Sequence, residues 1–565
     1  MTRWPGRAGP AGPAGPRGPA AAARSGGTTG PAGLAAIGIS VACTFAVAVA
    51  GPSVMEPVLP GRAGTPPWSL GLHPSPYLAV GLTAAGLAAG TLGLVLVLRA
   101  VRGGWSVPAR AVLVAGLLAA VALTLVPPFG SSDHLSYAAY GRMLVTGHNP
   151  YTTTPAQLAA AGDPVARAVQ DWSGSPSVYG PLATAIQGLA SLAGGTSARL
   201  TVFMLGLANL AAFAVTALLL HRMTRHDPAR QLRAALLWAC NPLLLQVLVA
   251  GAHVDAQAVV FGVAAVAVCA GPAGRPPAPS WPRTAIAGVL VGLGLAVKVT
   301  VALVGLGLAI ALVLAFGRGW RRLLPLLAAL GTGFAVTAGA AVAIGGPAML
   351  RQSSRASGMV SIGSPWRVIR TVIHLAVAGT AATDIVKAGA AALAVVLAVL
   401  LIRGLPGPAT WRELSAGPGP GVYAGVTFAL ALAWLLAWPY VLPWYDALAW
   451  ALLPLVPLVP GAALEGAEGL TWLLLARTAA LGFGYLPARQ ADATLPSGLG
   501  WLQPVVRHGV TPAVLAAVTA WLVYLMLRAR PPAADRRVRQ DLPSAPSSCA
   551  PPARPSEAPA REAMG

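Results

Sequence analysis

Charge is scarce in this chain, and acid is scarcer still. Only 10% of the 565 residues are Asp, Glu, Lys or Arg, against 56% that are hydrophobic. A water-soluble domain carries about 25% charged residues, so water is excluded as the solvent for most of the protein. Cysteine is sparse too. Cys43, Cys240, Cys269 and Cys549 lie far apart, which excludes a disulfide framework and a cysteine metal cluster. The two halves lack a convincing internal repeat, which argues against an inverted-repeat transporter. The balance of 38 Lys and Arg against 16 acids, a net charge of +22, would suggest nucleic acid in a soluble protein. Here the arginines are spread through loops and tails between apolar runs, as the positive-inside rule requires.

What is present is a series of apolar runs long enough to cross a bilayer as helices. They are continuous instead of alternating, which excludes barrel strands. The expected fold is an all-α polytopic membrane protein. Its spans are placed near 33–50, 77–99, 109–127, 198–221, 234–250, 256–271, 284–297, 299–316, 323–345, 384–403, 422–438, 446–461, 470–486 and 508–529. The shorter runs 181–194 and 371–382 read as re-entrant or interfacial. The membrane domain then covers 33–529, between a basic disordered tail at 1–32 and a second disordered tail at 530–565. Five G-x-y triplets from Gly6 to Ala20 are too few for a collagen helix.

With a cytoplasmic N-terminus, the loops Arg99–Arg110, Arg222–Arg233, Arg275–Arg283, Arg318–Arg322 and Arg403–Arg412 fall inside with most of the arginines. The segments 51–76, 128–197, 251–255, 346–383, 439–445 and 487–507 then fall outside. Both termini are expected in the cytoplasm.

The densest polar stretch is therefore extracytoplasmic. It runs from Pro128 to Pro181 and includes SSDHLSYAAYGRML and DWSGSPSVYGP. Asp133, Tyr137, Tyr140 and Leu144 share one face of a short helix expected to lie in the interface plane. Asp133 reads either as a cap for that helix or as a chemical group. Trp172 and Tyr179 suit the apolar face of a sugar, and are equally ordinary membrane anchors. His253 and Asp255 stand on a tight external hairpin, where ionisable residues are site candidates or a solvated tip. Arg351, Arg355, Arg367 and Arg370 break the charge rule from outside; a phosphate ligand would explain them, as would simple tolerance of charge in a late loop. Lys298 lies between two apolar half-runs, within reach of the same phosphate. An acid, an aromatic wall and cations at a lipid surface suit sugar transfer from a lipid-linked phosphosugar. One carboxylate takes the acceptor's proton, and cations offset the charge left on the phosphate.

The blocks SSDHLSYAAYGRMLVTGHNPY, PSVYGPL, NPLLLQVLVAGAHVDA, GLGLAVKVT and WPYVLPWY resemble the actinobacterial polyprenol-phosphomannose-dependent α-(1→6)-mannosyltransferases, of the GT-C class of multi-span glycosyltransferases. The resemblance runs in order from about residue 75 to 530. It implies about 12–14 transmembrane helices and a large early extracytoplasmic loop, 128–197, carrying short interfacial helices and the catalytic acid. It also implies inverting transfer of mannose from polyprenyl-phosphate-mannose to the 6-hydroxyl of a lipid-anchored mannan, the backbone of lipomannan and lipoarabinomannan. The plasma membrane is the expected location.

Asp133 occupies the position of the general base, and the adjacent His134, unexpected there, is a candidate modulator. The expected substrate-binding set is Tyr137, Tyr140, Arg142, Trp172, Tyr179, His253, Asp255, Lys298, Arg351, Arg355, Trp366, Arg367, Arg370, Trp444 and Tyr445. No cofactor is expected. Some GT-C enzymes add a divalent metal; no second carboxylate adjoins Asp133, so a metal-free site is preferred, with Asp163 and Asp171 as the other acids in the loop. A related enzyme using polyprenyl-phosphate arabinose or glucose, and a transporter or flippase of lipid-linked glycan, stand as alternatives.

Overall fold

In the computed structural model, residues 28–528 are described except 63, 272–279, 318, 378–379, 405–419, 457–467 and 488–494. The G-x-y triplets, the 530–565 tail and parts of the expected loops at 275–283, 318–322 and 403–412 lie outside these, as does the end of the 446–461 span. The described residues are helical, with no strand among them. Eight helices are long and apolar enough to cross a membrane: Thr29–Ala50, Pro76–Arg102, Ala198–Met223, Pro228–Ala250, Val299–Phe316, Trp320–Ser357, Ala381–Gly404 and Ser497–Arg528. Five shorter apolar helices accompany them: Ala109–Thr124, Asp255–Ala270, Trp281–Leu295, Gly421–Ala437 and Gly469–Gly484. The first helix begins at Thr29, so the last residues of the expected 1–32 tail are helical.

Pro228–Ala250 is mostly buried and lies at the centre of the bundle. It is broken at Asn241-Pro242. Proline removes a backbone donor, and the Asn241 side chain caps the restart, accepting from the amides of Leu243 and Leu244. Trp320–Ser357 is kinked where Gly346 takes φ +67° ahead of Pro347. A residue before proline is pushed out of the α region, and only glycine takes this positive φ without strain. The kink carries Gln352, Ser353 and Arg355 over the end of the bundle.

Polar connections gather at that end. Phe129 N donates to Ala250 O, Gly130 N to Met55 O, Gly180 N to Val297 O and Ser361 N to Pro439 O, so loops distant in sequence form one layer. A Cβ on Gly180 would meet Ala296 O at 2.2 Å, so this close approach, which sets the backbone just before Lys298, needs glycine. The helix Pro181–Gly194 belongs to this layer. It packs against Asp133–Val145 and leaves Leu189 and Leu192 exposed.

On the helix Asp133–Val145 the aromatic face packs into the protein: Tyr137 and Tyr140 are buried and only Leu144 of that face is exposed. The aromatic face turns inward because its hydroxyls find partners there. Tyr140 Oη donates to Ser175 O at 2.9 Å and Tyr179 Oη donates to Tyr137 Oη at 3.3 Å.

Candidate active site

Asp133 is the first residue of its helix, after Ser132, and its amide donates to Ser131 Oγ at 3.1 Å. Its carboxylate does not cap the helix through a side-chain bond; it lines two cavities. The larger, about 640 Å³, is walled by Tyr137, Tyr140, Trp172, Tyr179, Trp434, Trp438, Trp444 and Tyr445, with Lys298 and Arg355 as its cations. The smaller, about 150 Å³, is lined by Ser131, Ser132, Asp171, Ser361, Tyr485 and Arg507 among others. Asp133, Trp172, Met359, Tyr440, Leu442 and Trp444 belong to both linings. Asp133 thus stands on the wall between a large aromatic chamber and a smaller one that mixes apolar residues with Ser131, Ser132, Asp171, Ser361 and Arg507.

Burial raises the Asp133 pKa to about 6; Lys298 pulls it down, Asp171 and Asp255 push it up, and a Trp172 side-chain hydrogen bond lowers it. A carboxyl poised near neutrality suits a general base. Trp172 holds φ +65°, an uncommon conformation for a non-glycine residue, which turns the chain beside Asp133. Asp171 accepts from Ser132 Oγ at 2.7 Å, and Ser136 Oγ donates to its carbonyl at 3.1 Å. Burial also raises the pKa of Tyr137 and Tyr179, so both stay neutral phenols.

His253 comes from the 251–254 hairpin, where Ala252 takes φ +52°. Its ring is stacked on Trp444, centroids 3.5 Å apart, and its Nδ1 is 3.6 Å from Asp133 Oδ2. Burial, then Lys298 and His134, hold its pKa well below the ordinary range, so the ring is neutral. Lys298 sits in the break between Trp281–Leu295 and Val299–Phe316. Its Nζ donates to both Asp255 oxygens, at 2.7 and 2.8 Å, and lies 4.1 Å from the Tyr445 ring centroid.

Other expected residues lie elsewhere. His134 is fully buried, its nitrogens have no hydrogen-bond partner among the described residues, and burial lowers its pKa to about 3. Arg142 pairs with Asp163, Nε to Oδ2 at 2.7 Å, and Asp163 also caps the Pro164–Arg167 helix. Arg351, Trp366, Arg367 and Arg370 line neither cavity. Among the described residues no three of His, Cys, Asp and Glu converge as a metal site would require.

Sequence reasoning missed Trp434, Tyr440, Tyr485 and Arg507. Arg507 carried a usable signal, since it is a further arginine in an expected outside segment. It donates to the carbonyls of Gly484 and Pro487 and lies over Tyr485. Also missed was the buried Asp446–Arg477 pair, 2.9 Å, which pins the turn bearing Trp444 and Tyr445.

The profile of the family described as alpha-(1->6)-mannopyranosyltransferase, N-terminal domain, matches residues 32–315. That span holds Asp133, His253, Asp255 and Lys298 and stops before Arg355, Trp444 and Arg507. The chain is 28% identical over 364 residues to alpha-(1->6)-mannopyranosyltransferase B of Corynebacterium glutamicum, covering 59% of this chain and 56% of that protein. It is 32% identical over 142 residues, a quarter of each chain, to a Mycolicibacterium smegmatis protein named "Probable alpha-(1->6)-mannopyranosyltransferase". The chain thus spans about half the length of the first of these curated relatives and a quarter of the second. No solved structure matches. The chain belongs to the alpha-(1->6)-mannopyranosyltransferase (N-terminal domain) family.

Proposed function

We propose that this chain is an inverting membrane mannosyltransferase that moves mannose from polyprenyl-phosphate-mannose to the 6-hydroxyl of a lipid-anchored mannan, on the extracytoplasmic face of the plasma membrane. The observation that carries the reading is the position of Asp133 on the wall shared by the two cavities. The large chamber suits the donor: aromatic faces for the sugar and first isoprene units, Lys298 and Arg355 for the phosphate. The small chamber, with its serines, Asp171 and Arg507, suits the hydroxyl-rich acceptor.

In the reaction, Asp133 takes the proton of the acceptor 6-hydroxyl as its oxygen attacks the anomeric carbon. The bond from that carbon to the phosphate oxygen breaks on the opposite face, with inversion, and the electron pair leaves on polyprenyl phosphate. That group is already a good leaving group, so no general acid is needed. Lys298 and Arg355 counter its charge. A resident metal is not required by this scheme.

The test supplies membranes with labelled polyprenyl-phosphate-mannose and a short mannoside. Loss of transfer in a stably expressed Asp133→Asn supports the assignment; near wild-type incorporation overturns it. Sidedness is read from a cysteine at the exposed position 156, which an impermeant reagent should reach in intact cells.

A further inference from the structure

The stretch from Gly346 to Thr383 contains no acid yet carries four arginines, Arg351 and Arg355 at the end of Trp320–Ser357 and Arg367 and Arg370 in the connection to Ala381–Gly404. Arg367 and Arg370 lie on the nine-residue helix Pro365–Ile373 and line neither cavity, so a donor phosphate does not account for them. At about 100° per residue this helix divides in two. Val368, Ile369, Val372 and Ile373 share one side; Arg367, Arg370 and Thr371 share the other. The apolar side is left open by the described residues, with Val368 56%, Ile369 42% and Val372 60% exposed.

The helix is also fixed in place. Trp366 Nε1 donates to Ala437 O at 2.6 Å, and the Trp366 ring packs over Gly389, so it is fastened to two apolar helices. It follows one candidate span and precedes another, at the boundary where a bilayer would end. An apolar side backed by arginines on the opposite side of the helix, at such a boundary, has the chemistry of an interfacial anchor, and guanidinium forks match phosphate oxygens.

We propose that the Pro365–Ile373 helix is a docking surface for anionic membrane lipid, its apolar side entering the acyl boundary and Arg367 and Arg370 meeting lipid phosphates. The segment before it, Met359–Gly363, lines the smaller cavity and is tied to the opposite wall, Ser361 Oγ donating to Val441 O and accepting from Val441 N, both at 2.9 Å. Lipid held by the helix therefore braces a wall of the candidate active site.

The test uses the full-length chain with its four cysteines replaced and single nitroxide labels at 369, 371 or 372. Nanodiscs contain phosphatidylcholine alone or with phosphatidylglycerol. The labels at 369 and 372 should be relaxed more by oxygen than by a water-soluble nickel chelate, and the label at 371 the reverse. Phosphatidylglycerol should slow the 369 label, and Arg367→Gln with Arg370→Gln should abolish that slowing while helicity and monodispersity persist. Labels at 369 and 372 that stay open to the nickel chelate in both lipids would overturn the proposal and point to a protein partner. A phosphatidylglycerol effect that survives the double substitution would also overturn it. None of these readouts depends on sugar transfer.

Discussion

His253 Nδ1 lies 3.6 Å from Asp133 Oδ2 while its ring lies flat on Trp444, so one neutral imidazole joins the candidate base to the aromatic wall. The separation is slightly longer than a hydrogen bond, and such contacts tighten when substrate binds. On the proposed mechanism His253 would act as a positioning residue. A hydrogen bond to a charged group contributes about 1.5–3 kcal/mol, so His253→Phe, which keeps the stack and removes the donor, should lower kcat about ten- to a hundred-fold. It should also move the acid limb of the pH profile upward. His253→Asn should recover part of both; an unshifted limb in His253→Phe would leave only packing.

As the proposed base, Asp133 should itself set that limb. With burial raising its pKa to about 6, the carboxylate form is lost as pH falls through that value. Transfer should be level near pH 7.5 and drop about tenfold per unit well below 6. Asp133→Asn should lose roughly a hundred- to ten-thousand-fold at every pH. A wild-type rate that is flat down to pH 4.5 would remove Asp133 as the base.

Lys298 and Asp255 form a buried pair, so removing one partner strands the other. Lys298→Met should cost about 3–5 kcal/mol of stability, and Lys298→Met with Asp255→Leu should recover most of it. Neither should recover transfer if Lys298 meets the phosphate. Thermal unfolding in detergent reads the first effect and labelled-donor turnover the second; restored turnover in the double variant would reduce Lys298 to a structural role.

Arg355 lines the large cavity and Arg351, one turn away, does not. Arg355→Gln should therefore raise KM for the proposed polyprenyl-phosphate donor about tenfold, the loss expected for one charged contact. Arg351→Gln should raise it less. Equal effects would mean that the segment acts through general charge.

Glu56 is 2% exposed, its Oε2 has no hydrogen-bond partner among the described residues, and burial raises its pKa from 4.5 to about 9 against the pull of Arg199. The folded protein then binds a proton that the unfolded chain releases between those values. Its contribution is complete below about pH 4.5 and is lost as pH rises towards 9. Glu56→Gln should flatten the fall in Tm across that window; parallel curves for variant and wild type would show that Glu56 does not titrate with folding.

Much of the architecture was legible because a bilayer imposes a length and a composition that a single chain displays directly. The runs at 77–99 and 198–221 correspond to Pro76–Arg102 and Ala198–Met223, extended by a few residues because helices continue past their apolar core. The site was legible in part. His253, Asp255 and Lys298 stood out because ionisable groups at the ends of apolar runs are costly without a partner; Trp172 stood out as an aromatic in a proline-rich turn, and Asp133 chiefly through the family resemblance. Trp434 and Tyr440 did not, because an aromatic near a span end reads as an anchor whichever way it faces.

Sequence alone determined that the chain is helical, crosses a membrane many times and gathers acid, aromatic and cationic residues at span ends, since these follow from hydropathy and spacing. Tertiary structure decided which of those residues meet. It set Asp133 between two cavities, His253 on Trp444 and Lys298 on Asp255, and it turned Arg367 and Arg370 away from the chambers. The reason is that a side chain's direction depends on which neighbouring surface buries its helix. That is fixed by packing among elements tens to hundreds of residues apart, which no local pattern records.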